Sequence, residues 1–154
     1  QTTREELLKA VPVRTVADDT FDDVFHRIFI EKIEPRLDEY AEGRPVLVCD
    51  YPPSMSALAR LNSAGFADRF EVYWRGLELC NAFHELNDPS ENRRRFERDN
   101  VMKASTGREQ VPLDVQLLRS FDNGIPPAGG IALGLERLFM ATRSLSSIDQ
   151  VRPF

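Results

Sequence analysis

The chain is poor in cysteine, histidine and tryptophan and carries no excess of positive charge. Its 154 residues include 2 Cys, 2 His and 1 Trp. Cys49 and Cys80 cannot build the disulfide framework of a small secreted scaffold, and they do not stand at metal-ligand spacing. With only His26 and His84 beside them, a zinc site is not expected. Free thiols fit a reducing compartment, so a cytoplasmic location is expected. No apolar run is long enough to span a bilayer, and there is no secretory or lipidation motif. The formal net charge of −5 and the pI near 5.1 argue against a broad non-specific nucleic-acid surface, which would be basic. A local tRNA contact stays open. The one basic cluster, Arg93-Arg94-Arg95, falls on a helix starting near Ser90 and is balanced by Glu91, Glu97 and Asp99. It reads as a solvated helix face.

What is present is one domain's worth of chain, with 42% hydrophobic residues and no internal repeat. A short helix is expected over Arg4 to Lys9. Asp18-Asp19-Thr20 can cap a longer helix from about Phe21 to Leu37, kinked or ended by Pro35. His26 reads there as a packing or boundary residue. Val46 to Asp50 reads as a buried strand, with Cys49 a small core residue. Helices follow from Ser90 to about Ser105 and from Asp114 to Phe121. Strands and helices mix without a βαβ rhythm, which predicts an α+β fold, an antiparallel sheet flanked by helices.

Two segments carry chemistry. From Pro127 the chain reads Pro-Ala-Gly-Gly-Ile-Ala-Leu-Gly-Leu-Glu-Arg-Leu-Phe-Met. Gly129, Gly130, Ala132 and Gly134 leave room for a flat ligand above a strand. Leu135, Leu138 and Phe139 read as the packed face of a following helix. Arg137, in its first turn, can reach phosphates lying over the strand.

The second segment is Arg69 to Leu86. Arg75-Gly76 is a two-residue turn between two strands. With that turn Tyr73 faces Glu78 and Glu71 faces Cys80, all four on one side of the sheet. Two carboxylates on one face repel unless a cation or donor lies between them. An oxygen-only pair suits Mg²⁺, which completes its shell with water and phosphates. The alternative is a wet face of an antiparallel sheet. Strict alternation puts Asn81 and Glu85 on the other face. For all four to line one site, a bulge must intervene between Glu78 and Asn81.

The glycine segment resembles the third signature motif of class II aminoacyl-tRNA synthetases. Glu-Leu-Cys-Asn-Ala-Phe-His-Glu-Leu-Asn-Asp-Pro, followed by Arg-Arg-Arg-Phe-Glu, resembles the lysine branch of that class. The resemblance runs from Pro45 to Pro153. It implies ATP and Mg²⁺ as cofactors, with Glu71 and Glu78 on the metal and Arg137 on the ATP phosphates. It also implies Asn81 and Glu85 on the amino acid, over Gly130 and Ala132. His84, beside that site, reads as tolerated rather than catalytic.

Two departures bear on the substrate. The Gly-Leu-Gly-Ile-Gly usual in lysyl-tRNA synthetases is here Gly130-Ile131-Ala132-Leu133-Gly134, and Asn-Gly-Phe is Asn81-Ala82-Phe83. They resemble the paralogue that transfers lysine or (R)-β-lysine to a lysine of elongation factor P. Phe21 to Leu37 and Tyr51-Pro-Pro-Ser-Met-Ser-Ala-Leu-Ala-Arg resemble it too. The expected partners are therefore lysine or β-lysine and elongation factor P, with tRNA in the alternative and no membrane. The class's first motif, which forms the usual homodimer, and its arginine-bearing second motif are not found here. Residues 1–154 thus read as a single domain, the C-terminal part of a catalytic domain. That part alone is not expected to activate an amino acid. A synthetase-like binding module without chemistry is the competing reading.

Overall fold

The computed structural model describes residues 2–151. Pro153, the expected end of the family resemblance, lies outside them. Helices α1 (Arg4–Ala10) and α2 (Phe21–Ile28) each open on a capping box, Thr3 with Glu6 and Thr20 with Asp23. The long helix expected from Phe21 is continuous in path but not in winding. α2 passes into a π-helical stretch, Phe29–Ile33, then a 3₁₀ turn, Glu34–Arg36, and α3 (Leu37–Tyr40). Pro35 causes the change: it has no N–H to donate and its ring crowds the preceding turn.

Strands β1 (Val46–Tyr51), β2 (Ala67–Trp74), β3 (Leu77–His84) and β4 (Gly129–Leu133) form one antiparallel sheet in the order β1-β2-β3-β4. Helix α4 (Pro89–Ser105) starts at Asp88, whose carboxylate accepts from Glu91 N, with Pro89 at the first helical position. Asp114 caps α5 (Val115–Asp122) in the same way, and α6 (Leu135–Arg143) follows β4 directly. The α+β expectation holds.

By contacts the chain divides into two compact units. The first comprises residues 2–49, 70–81 and 132–151; the second comprises residues 50–69 and 82–131. Val24, Ile28, Phe29, Tyr73, Leu79, Met140 and Ala141 supply the core of the first. Within it, the hairpin tip is tied to the helical arm: Trp74 Nε1 donates to Gly43 O (2.8 Å) and Arg75 N to Asp38 Oδ1 (2.7 Å). The second unit buries Tyr51, Met55, Ala59, Ala67, Ala82, Leu118 and Phe121.

Four expectations need correction. β1 is an edge strand with Leu47, Cys49 and Asp50 exposed, so Cys49 is no core residue. His26 points to solvent, because Val24 and Ile28 take the buried stripe of α2. In α6 the buried residues are Met140 and Ala141, while Leu135 and Phe139 are exposed. β4 is the other edge and offers no buried face to pack under. Finally, Arg95 is buried: Nη1 donates to Ala57 O (2.6 Å) and Ala59 O (2.8 Å), and Nε to Glu91 Oε1 (2.8 Å). Arg93 and Arg94 keep the solvated position expected of all three.

Candidate functional site

In the first unit the Arg75-Gly76 turn has φ of 52° and 69°. Two positive φ values define a type I′ turn, the geometry that matches strand twist and joins β2 to β3 in two residues. Trp74 and Leu77 are then the hydrogen-bonding pair beside the turn. An unbroken ladder would aim the Leu79 carbonyl at β2. Instead Leu79 O accepts from Gly134 N (2.9 Å), on the β4 side. The neighbouring Glu78 O accepts from Arg137 Nη1 (3.0 Å), which α6 carries on from β4. Successive carbonyls turned the same way mark an inserted residue, a β-bulge at Glu78–Leu79. It falls in the interval the sequence required. Alternation resumes from Leu79, so Asn81 comes to Glu78's side and Cys80 turns away from it. The pairing of Leu79 with Gly134 sets Ala132 opposite Asn81.

The bulge corrects one detail. Cys80 does not share a face with the two glutamates and is buried on the other side. Glu71, Tyr73 and Glu78 keep their common side. Tyr73 Oη donates to Glu71 Oε2 at 2.7 Å, and both side chains are buried, at 6% and 8% exposure. Phe29 meets the Tyr73 ring edge-on, centroids 5.7 Å apart. Burial pushes the Tyr73 phenol well above its ordinary range, and so do the hydrogen bond to Glu71 and the charges of Glu71, Glu78 and Glu34. The phenol therefore stays a donor.

Arg137 enters from the third residue of α6, after the Gly134 N-cap. Its Nη1 lies 3.8 Å from Glu78 Oε2, and both side chains are partly open to solvent. The first unit thus assembles Glu71, Glu78, Asn81, Ala132 and Arg137. Among the described residues no group of three or more His, Cys, Asp or Glu side chains is placed to hold a metal. The donor set is two carboxylates, which fits Mg²⁺ held together with phosphates rather than in a protein cage.

In the second unit Glu85 N donates to Ala128 O (2.9 Å), and Glu85 pairs with Ala59 on its other side. Its carboxylate lies over Gly130. A Cβ built on Gly130 would overlap Glu85 Oε1 and stand 3.5 Å from Cδ. The carboxylate occupies the space a side chain at 130 would take, so a methyl there would displace it. His84, next along the strand, points the other way. Its Nδ1 lies 3.1 Å from Asp68 Oδ2, which also accepts from Arg60 Nε (3.1 Å). The turn alone would set Ala67 opposite His84; Asp68 takes that place, one residue out of step, as the bulge requires.

Sequence reasoning placed Tyr73 beside Glu71 and missed the bond between them; the Glu-x-Tyr spacing on one strand was the signal. It also missed Arg95. Glu91 four residues before it gave a partner, but nothing local announced the Ala57 and Ala59 carbonyls.

The antiparallel strand hairpin, the small-residue edge strand and the helix that follows it define a class II synthetase-like fold. The family model for class II tRNA synthetases (D, K and N) matches residues 12–154, and the chain belongs to that family. It is also similar to relatives named elongation factor P–(R)-β-lysine ligase. That of Edwardsiella ictaluri is 37% identical over 158 residues, covering 100% of this chain and 48% of the relative. That of Vibrio parahaemolyticus is 44% identical over 135 residues, covering 86% and 41%. That of Haemophilus ducreyi is 40% identical over 139 residues, covering 89% and 42%. The chain spans less than half the length of these relatives.

Proposed function

We propose that this chain is the C-terminal part of a single catalytic domain in an ATP-dependent ligase. That ligase activates lysine or (R)-β-lysine and transfers it to elongation factor P. The observation that carries the reading is the buried Glu71–Tyr73 pair beside Glu78 and Arg137 in the first unit. It is a concentration of negative charge edged by a forked cation, the arrangement a metal–triphosphate needs. The names of the relatives supply the amino acid and the acceptor.

In the first half-reaction the amino-acid carboxylate attacks the α-phosphorus of ATP. The bond to the bridging oxygen breaks, pyrophosphate leaves and an aminoacyl-adenylate remains. Mg²⁺, when bound, offsets the phosphate charge. Glu71 and Glu78 would hold it. Arg137 grips the phosphates as a forked donor. The family resemblance gives Asn81, in the first unit, and Glu85, in the second, to the amino acid. A carboxylate is the fitting receptor for an ammonium group, and within the second unit that of Glu85 lies over Gly130. In the second half-reaction an acceptor amine attacks the acyl carbon and AMP leaves. None of these residues need act as a general base, and none is assigned that role.

A lysyl-tRNA synthetase is the second reading, since the matched family includes tRNA synthetases for lysine. Transfer of labelled (R)-β-lysine by the full-length protein separates the two. Label on elongation factor P supports the proposal. Label on tRNA alone overturns the acceptor and leaves the activation step standing.

A further inference from the structure

We propose that Tyr73 is a positioning residue for metal binding, its hydroxyl fixing the rotation of the Glu71 carboxylate. The inference rests on reading Glu71 and Glu78 as the magnesium carboxylates. A glutamate side chain has three rotatable bonds, and a carboxylate that must meet a small octahedral cation gains from being held before the cation arrives. Tyr73 can hold it. Its ring is wedged against Phe29, its hydroxyl is 2.7 Å from Glu71 Oε2, and the type I′ turn sets Tyr73 across from Glu78.

The arrangement is more than core packing. A phenylalanine would fill the same volume beside Phe29 without burying an oxygen. The oxygen here spends its hydrogen on an acid that the fold has also buried. Bonds of this kind to a metal's ligands typically govern affinity by about 10- to 100-fold.

The test uses Mn²⁺ as the probe, titrated in the presence of ATP and followed by the electron-spin signal of free Mn²⁺. The full-length protein is compared with Tyr73→Phe, Glu71→Gln and the double variant. Urea unfolding checks the fold of each. Tyr73→Phe is expected to weaken Mn²⁺ binding about tenfold while leaving metal-free ATP binding and the KM for the amino acid unchanged. Glu71→Gln is expected to weaken it at least as much, and the double variant no further than Glu71→Gln alone. If Glu71→Gln weakens Mn²⁺ binding and Tyr73→Phe does not, the positioning role is overturned while the metal reading stands. If Glu71→Gln leaves Mn²⁺ binding intact, the metal reading itself is overturned.

Discussion

Arg95→Ala should cost the second unit a large part of its stability. Arg95 is 6% exposed, and its guanidinium makes three charge-assisted bonds, to Ala57 O, Ala59 O and Glu91 Oε1. Truncation strands two backbone carbonyls and removes one of the two cations on Glu91, the other being Arg94. Breaking a buried pair in this way costs about 3–5 kcal/mol, a large share of a domain's roughly 5–15 kcal/mol. Arg95→Lys keeps the charge but loses the fork, and should fall between. The loss would reach the candidate site. Ala59, which Arg95 holds, pairs with Glu85 through the backbone. Urea unfolding followed by circular dichroism measures the effect, with the exposed Arg93→Ala as control, expected within about 0.5 kcal/mol of wild type. If Arg95→Ala matches the control, the buried clamp is not what holds Ala57 to Ala59. Acid gives a further check. Hydrogen bonds from Arg94 and then Arg95 hold the Glu91 carboxyl down to about 2 from its ordinary 4.5. A lowered pKa contributes stability that is complete above the unfolded value and lost as pH falls through the folded one. The stability difference between wild type and Glu91→Gln should therefore be full above about pH 4.5 and fade towards pH 2.

Two further outcomes concern the site. Arg137→Ala removes a half-exposed contact to Glu78, worth under about 1 kcal/mol to the fold, but should weaken ATP binding by tenfold or more, about 1.5–3 kcal/mol. Isothermal titration with ATP reads it, and unchanged affinity contradicts the phosphate role. Gly130→Ala pushes only the far end of a flexible side chain, so the unfolding midpoint should hold. The displaced Glu85 carboxylate should raise the KM for the amino acid about tenfold or more with little change for ATP. An equal rise for both substrates would contradict the assignment of Glu85.

Much of the frame was legible because it rests on local chemistry. The caps at Thr20, Asp88 and Asp114 and the Arg75-Gly76 turn each follow from a few adjacent residues. The bulge at Glu78–Leu79 was legible in a different way. No residue there encodes it, but alternation and the demand that Glu78 and Asn81 share a side left no other solution. What stayed hidden depends on position in the sheet. Val46 to Asp50 has the composition of a core strand, and only the strand order makes β1 an edge that exposes Cys49. Leu135 and Phe139 follow the helical period of a packed face, yet they adjoin the opposite edge, where nothing covers them among the described residues. Arg95 looked like its neighbours because its acceptors lie far away in sequence. The Tyr73–Glu71 bond needed the burial of both groups, which alternation alone does not report.

ATP–pyrophosphate exchange, driven separately by α-lysine and (R)-β-lysine in the full-length protein, tests the central claim most directly. The account predicts exchange with both, stronger with (R)-β-lysine, lost in Glu78→Gln, and none from the 154-residue chain by itself. Exchange that survives Glu78→Gln, or that neither amino acid supports, would contradict it.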